Sequence, residues 1–332
     1  MPSKKAAVEV NANFHHAAGE DLFGRDDAGF REYRKRWEEW PRNFHAGEFP
    51  LFLDIEVTNE CNLRCPFCQY AGMRGKLKKR RISADMIKKI IDEGADHGLY
   101  GVKFNIWGEP LMHPQIHEFV KYAKQKGLID VYFNTNAMLL NEEVSRKLID
   151  AGLDRISISF EGHTKSVYEK YRVGSNYKKV LSNIESLQAL KKHLGVKYPK
   201  IRVQTVMLPD LENSFQAYKE FWALRADEVG SLDYEDINVK EGIRHSWACP
   251  QIWQRMGIWW DGTLSPCNKD FNALLSLCNI RDMTIKEAWH CEKLNSLRQA
   301  HQNGTAFEVS TCDICQLRNS QILMAKKRGQ KI

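Results

Sequence analysis

Cys61, Cys65 and Cys68 stand four and three residues apart in Val57-Thr-Asn-Glu-Cys-Asn-Leu-Arg-Cys-Pro-Phe-Cys68, directly after an apolar run. Three soft thiolates on one short loop can hold three irons of a cubane and leave the fourth iron open. The open iron decides the chemistry: a fully ligated cluster only passes electrons, whereas a site-differentiated one can bind a small molecule and react with it. The same ligand types also suit a zinc site. A second set lies far downstream. Cys249, Cys267, Cys312 and Cys315, separated by 17, 44 and 2 residues, could saturate one four-iron cluster or form a zinc knuckle. Cys278 and Cys291 remain over, and small buried cysteines are usually inert.

These residues need a frame. From Leu51 the chain alternates strand, loop and helix, with strands expected at 51–57, 102–107, 130–135, 155–160, 201–208 and 232–239. Helices are expected between them at 84–97, 115–126, 142–151, 177–193 and 214–225. Six strands alternating with helices imply a parallel sheet, because each return to a parallel neighbour needs a crossover. Chemistry in such sheets collects at the carboxyl ends of the strands, where the first cysteine loop falls. Residues 1–50 show no strand pattern; Phe30 to Trp40 has helical spacing that Pro41 should end. Asp261-Gly262 between apolar flanks predicts a hairpin with Cys267 at its base. The expected boundaries are an extension over 1–50, a core over 51–240 and a cysteine-bearing module over 241–332.

The CxxxCxxC segment with Pro66-Phe67 resembles the signature of the radical S-adenosylmethionine (SAM) superfamily. Other segments extend the resemblance: Trp107-Gly-Glu-Pro110 is similar to the family's GGEP motif, Asn134-Thr-Asn136 to its TNG segment, Ser157 to Gly162 to its strand-ending serine, and Tyr171-Arg-Val-Gly174 to its YR...G segment. It departs from the family at Trp107, Ala137 and Glu161, where glycine, glycine and aspartate are usual. The resemblance implies a partial (β/α)6 barrel of the α/β class, with Phe67, Gly108, Glu109, Ser159 and Arg172 at the SAM site. Glu109 would take the methionyl ammonium and Arg172 the carboxylate, which a guanidinium fork fits.

The C-terminal cysteines resemble the twitch module, the short form of the SPASM domain, at the spacings of 2-deoxy-scyllo-inosamine dehydrogenases. Two [4Fe–4S] clusters and SAM are then the expected cofactors, with an external electron donor such as flavodoxin or ferredoxin. The implied reaction is oxidation of an alcohol on a small sugar or aminocyclitol, the second cluster accepting an electron. Three other readings stay open: an epimerase with Cys278 as hydrogen donor, a peptide maturase, and a noncatalytic iron–sulfur protein.

Composition sets the surroundings. Nine cysteines, an odd number in motif-like groups, are not a secreted disulfide framework. No signal peptide pattern and no apolar run near the roughly 20 residues of a membrane span are present, so a cytoplasmic protein is expected. The +7 charge is partly concentrated at Lys76 to Arg81 and Lys326 to Lys331; such runs are usually solvated, and nucleic acid is not the expected partner.

Overall fold

A computed structural model describes residues 8, 13–68, 80–235, 241–270 and 273–327. Parts of both basic runs, Lys76–Lys79 and Arg328–Lys331, lie outside them, as does the end of the expected strand at 232–239.

One ten-stranded sheet runs through the molecule. Its strands are β1 (Phe14–Gly19), β2 (Phe52–Ile55), β3 (Gly101–Lys103), β4 (Asp130–Thr135), β5 (Arg155–Ser159), β6 (Lys200–Met207), β7 (Glu228–Asp233), β8 (Arg255–Ile258), β9 (Thr263–Ser265) and β10 (Cys278–Asn279). The order is β1-β7-β6-β5-β4-β3-β2-β8-β9-β10. β2 to β7 are mutually parallel, forming the six-stranded open barrel, and β1 closes antiparallel onto β7. The helices between them are α2 (Ala84–Asp96), α3 (Ile116–Gln125), α4 (Glu142–Asp150), α5 (Lys165–Tyr171), α6 (Tyr177–Leu194) and α7 (Phe215–Ala223), preceded by α1 (Ala28–Arg42). In α2, Ile87, Ile90, Ile91 and Gly94 are buried at spacings of three and four, and Ser83 caps the first turn by accepting from the Met86 amide.

Two expectations for the first fifty residues fail. The stretch does contain a strand, β1, which takes an edge position against β7 and so shows little of the apolar alternation of a core strand. Pro41 does not end α1, which runs to Arg42. A proline deprives the carbonyl four residues earlier of its helical donor. Here that carbonyl, of Trp37, accepts instead from Gln254 Nε2 at 2.7 Å. Phe30, Tyr33 and Trp37, at helical spacing, pack in edge contacts and lay α1 across the bottom of the barrel against Phe52. Burial of each such side chain contributes about 1.5–3 kcal/mol.

The C-terminal region does not stand apart. β8 is parallel to β2 and in register with it, and turns at Asp261-Gly262 into β9, as the hairpin signal requires. Gly262 adopts φ +87°, open to glycine at no steric cost. Beyond β10 come α8 (Ile285–Trp289), α9 (Glu292–Gln302), α10 (Ser310–Asp313) and α11 (Gln316–Lys327). Thr284 and Glu287 form a reciprocal cap on α8. No helix among the described residues is long and apolar enough to cross a membrane.

Candidate functional site

The first cysteine loop leaves the carboxyl end of β2 and is tied on three sides. The Arg64 amide donates to Val173 O at 2.8 Å, Asn136 Nδ2 donates to Asn62 Oδ1 at 2.8 Å, and the Glu109 amide donates to Glu60 O at 2.7 Å. The last contact explains Gly108. A Cβ there would stand 2.0 Å from Thr58 O and 2.8 Å from Glu60 O, so only glycine lets the loop after β3 pass this close.

Glu109 is buried, and its carboxylate is held by the chain. Oε1 accepts from Thr135 Oγ1 at 2.6 Å and the Leu111 amide at 3.1 Å, and Oε2 accepts from the Asn136 amide at 2.8 Å. Burial raises its pKa against the pull of these donors. Arg172 forks onto Glu161, Nη2 reaching Oε1 at 2.8 Å and Nε reaching Oε2. Its remaining nitrogen, Nη1, points at Cys65 Sγ at 3.7 Å. The fork on which the SAM carboxylate was expected is therefore engaged by the side chain that replaces the family's aspartate. Burial pushes the Cys65 thiol up, and the Arg172 guanidinium works against it. Phe67 packs edge-on against Tyr171 and under the Arg172 guanidinium. Ser159 ends β5 at the same mouth.

Phe67, Gly108, Glu109, Ser159, Arg172 and the three loop cysteines all line one cavity of about 430 Å³ inside the barrel. Trp107, the departure from glycine, also lines it and stacks on Trp259 of the hairpin, 6.4 Å between centroids at 18°. The cavity continues past Gln251, Asn268 and Lys269, neighbours of Cys249 and Cys267. It thus reaches from one cysteine set to the flank of the other.

The four C-terminal cysteines come together. Burial raises all four thiols, and repulsion from the other cysteines adds to it at Cys249, pushed up to about 12, and at Cys267 and Cys312; at Cys315 the added push comes from Glu235. Four half-buried cysteines that feel one another suit a cationic centre, because a bound iron cluster would offset both the desolvation and the repulsion that disfavour their thiolates. Among the described residues no group of three or more His, Cys, Asp or Glu is arranged around a single ion. Cys278 and Cys291 interact with each other instead, and neither is among the residues lining the cavity.

Other residues at the site were not legible as such. The Lys269–Glu235 ion pair, 2.7 Å, borders the cavity close to Cys267. His301 touches Cys249 and Cys312. Charged residues lie on the barrel strands at Asp54, Lys103, Asp130, Arg155, Arg202 and Glu228, and pair across them. A charge inside a strand of a buried parallel sheet was the available signal.

The chain matches the Radical SAM superfamily over residues 55–210 and the SPASM iron–sulfur cluster-binding domain over residues 249–316. It is 34% identical over 131 residues to a probable GTP 3′,8-cyclase of Methanococcus maripaludis, covering 40% of this chain and 43% of that protein. The chain spans about half the length of the curated relatives it matches. Streptococcus suis SuiB bound to S-adenosylmethionine shares the fold at a TM-score of 0.59 and 14% identity, over 81% of this chain and 72% of SuiB. BtrN in complex with AdoMet and 2-DOIA does so at 0.50 and 16%, over 80% and 91%. This Methanococcus relative is named as a GTP cyclase, not as an aminocyclitol dehydrogenase. The chain carries a radical SAM domain followed by a SPASM iron–sulfur cluster-binding domain, and these two domains imply S-adenosylmethionine and two iron–sulfur clusters as its cofactors.

Proposed function

We propose that this protein is a radical SAM oxidoreductase acting on a small carbohydrate-like or aminocyclitol substrate. When bound, the first cluster and SAM would supply a 5′-deoxyadenosyl radical, and the second cluster would supply an electron sink. The observation that carries this reading is the single cavity running from Cys61, Cys65 and Cys68 to the neighbours of Cys249 and Cys267. A substrate held there lies between both sets of thiols.

The chain's own residues have separable tasks. Glu109, fixed by three donors, presents a preorganised carboxylate at the mouth. Glu161 orients Arg172 over Phe67 and toward Cys65. Trp107, stacked on Trp259 of the hairpin, walls the cavity between the two cysteine sets. An external flavodoxin or ferredoxin is the reductant in this reading.

Product analysis under anaerobic conditions with deuterated substrates tests it. Oxidation gives a product two hydrogens poorer, one SAM consumed per turnover, and retained activity in Cys278→Ala. A same-mass product carrying one solvent deuterium, lost in Cys278→Ala, would identify an epimerase instead. A second reading, cyclisation of a purine nucleotide, is favoured by the names of the curated relatives. Incubation with GTP separates it from the first.

A further inference from the structure

The floor of the cavity has more positive charge than its acids neutralise. Asp54, fully buried on β2, serves three donors: Lys103 Nζ at 2.6 Å, Arg255 Nη1 at 3.4 Å and Asn268 Nδ2 at 3.0 Å. Two cations therefore share one carboxylate. Burial opposes its ionisation, yet Lys103 and Arg255 together hold its pKa below the ordinary value. Arg34 of α1 adds a third cation, which among the described residues has ring contacts and no ion pair. Arg34 and Arg255 both lie against Trp37, 5.2 and 4.6 Å from its centroid.

The remaining cations of the wall each have a carboxylate of their own. Arg155 pairs with Asp130 and Lys269 with Glu235, and Asp233 accepts a hydrogen bond from His15. Glu109 has its three donors, and Arg172 and Arg202 are matched by Glu161 and Glu228. Arg34, Lys103, Arg202 and Arg255 line the cavity, whereas Asp54 and Glu228 stand behind them. Polar atoms at this end also lack partners: Arg202 Nη2 on a residue 4% exposed, and Arg255 Nε. Buried donors without acceptors are costly unless a ligand satisfies them.

We propose that Arg34 and Arg255, both against Trp37, together with Lys103, which shares Asp54 with Arg255, bind an oxyanion tail of the substrate, phosphoryl or carboxyl. The inference rests on the reading of the cavity as the substrate site, and it narrows that reading. A free aminocyclitol brings an ammonium into a cationic floor, whereas a phosphorylated or carboxylated sugar brings the matching charge. The level of Asp54 lies three residues before Val57 on the same extended segment, about 10 Å at the strand rise. The anion would thus anchor the far end of the substrate while its reacting carbon faces the cysteine loop.

The test is calorimetric titration of the reconstituted full-length protein, saturated with SAM so that the SAM carboxylate does not compete. Inorganic phosphate and acetate are the two probes. One saturable site per chain is expected, with tighter phosphate marking a phosphoryl tail and tighter acetate a carboxyl tail. Arg34→Gln should weaken binding tenfold or more, and Arg34→Lys should recover part of it. Arg34 leaves no buried carboxylate unpaired when removed, and in Lys103→Met Arg255 still neutralises Asp54, so this second variant checks the first. No saturable site for either ion, or affinities untouched by both Arg34→Gln and Lys103→Met, overturns the proposal. Anion binding without any conversion of SAM to 5′-deoxyadenosine would sink the reading of function and leave the anion site standing.

Discussion

His301 sets its Nε2 3.5 Å from Cys312 Sγ, and its Nδ1 accepts the Cys249 amide at 3.1 Å. A backbone amide can only donate, so the ring proton sits on Nε2 and is offered to the sulfur. Burial, helped by the nearby Arg318, depresses the imidazole pKa to about 3 and keeps the ring neutral. One side chain on α9 thereby ties together cysteines from opposite ends of the C-terminal module. Hydrogen bonds to sulfur stabilise the more negative, reduced state of an iron–sulfur cluster. His301→Leu should shift the second cluster to a more negative potential and speed its loss to a chelator by about tenfold or more. His301→Gln, which keeps an N–H donor, should restore part of both. Redox titration followed by electron paramagnetic resonance reads the shift, and an unchanged potential in His301→Leu would show that the contact is packing alone.

Arg172 and Glu161 form a charge pair in which Glu161 is fully buried. Removing one partner of such a pair typically costs about 3–5 kcal/mol, because the other is left charged and dry. Arg172→Ala should therefore lower thermal stability and reduce iron bound at the first cysteine loop, through Cys65. Replacing both residues, Arg172→Met with Glu161→Leu, should recover stability but not the loop's iron. Melting curves and iron content on the same samples separate the two effects. Full iron content in Arg172→Ala would mean that Cys65 does not depend on it.

The two cysteine sets should load independently. Reconstituted protein is expected to hold about eight irons per chain, and Cys61/Cys65/Cys68→Ala should keep about four and lose all SAM cleavage. Cys312→Ala should spare SAM cleavage and stop turnover after radical formation. Iron and sulfide assays with 5′-deoxyadenosine chromatography check both, and retained SAM cleavage in the triple variant would remove the basis of the site.

Glu56 gives a pH signature. It is buried where β2 meets the Trp259-Trp260-Asp261 turn, Oε1 has no partner, and burial raises its pKa from 4.5 to about 8. Between those values the folded protein holds a proton that the unfolded chain releases. The resulting stability is complete below pH 4.5 and is lost as pH rises through about 8. Glu56→Gln should remove this slope. Melting temperature between pH 6 and 8.5 should fall by roughly 2 °C or more in the native protein beyond any fall in the variant. Parallel curves would place the Glu56 carboxyl in a wetter setting than its burial implies.

Much of this arrangement was legible because it repeats local rules. Asp130–Thr135 was read to the residue, and the helix starts at Ala84, Glu142 and Tyr177 fall where the alternating pattern put them. The hairpin at Asp261-Gly262 needed only two residues to be seen. What escaped depends on distant partners. β1 is defined by β7, more than 200 residues away, and Pro41 sits inside a helix because Gln254 satisfies the carbonyl it frees. Arg172 could be matched to a motif, but its engagement with Glu161 required the geometry after β5. His301 gave no signal, since a single histidine on a short helix is ordinary until its two neighbours are known.

The parallel pairing of β8 with β2 has a consequence for how the chain is made. β2 is the first barrel strand to be synthesised, yet one of its edges waits for Arg255–Ile258, some 200 residues later. Until then a row of strand amides and carbonyls is open to any passing chain, and the three thiols at its end are without their final shelter. A polypeptide ended at residue 240 would keep that edge permanently bare. The C-terminal module therefore acts on the nascent protein as a seal, and iron insertion at the first loop is best timed after the seal has closed.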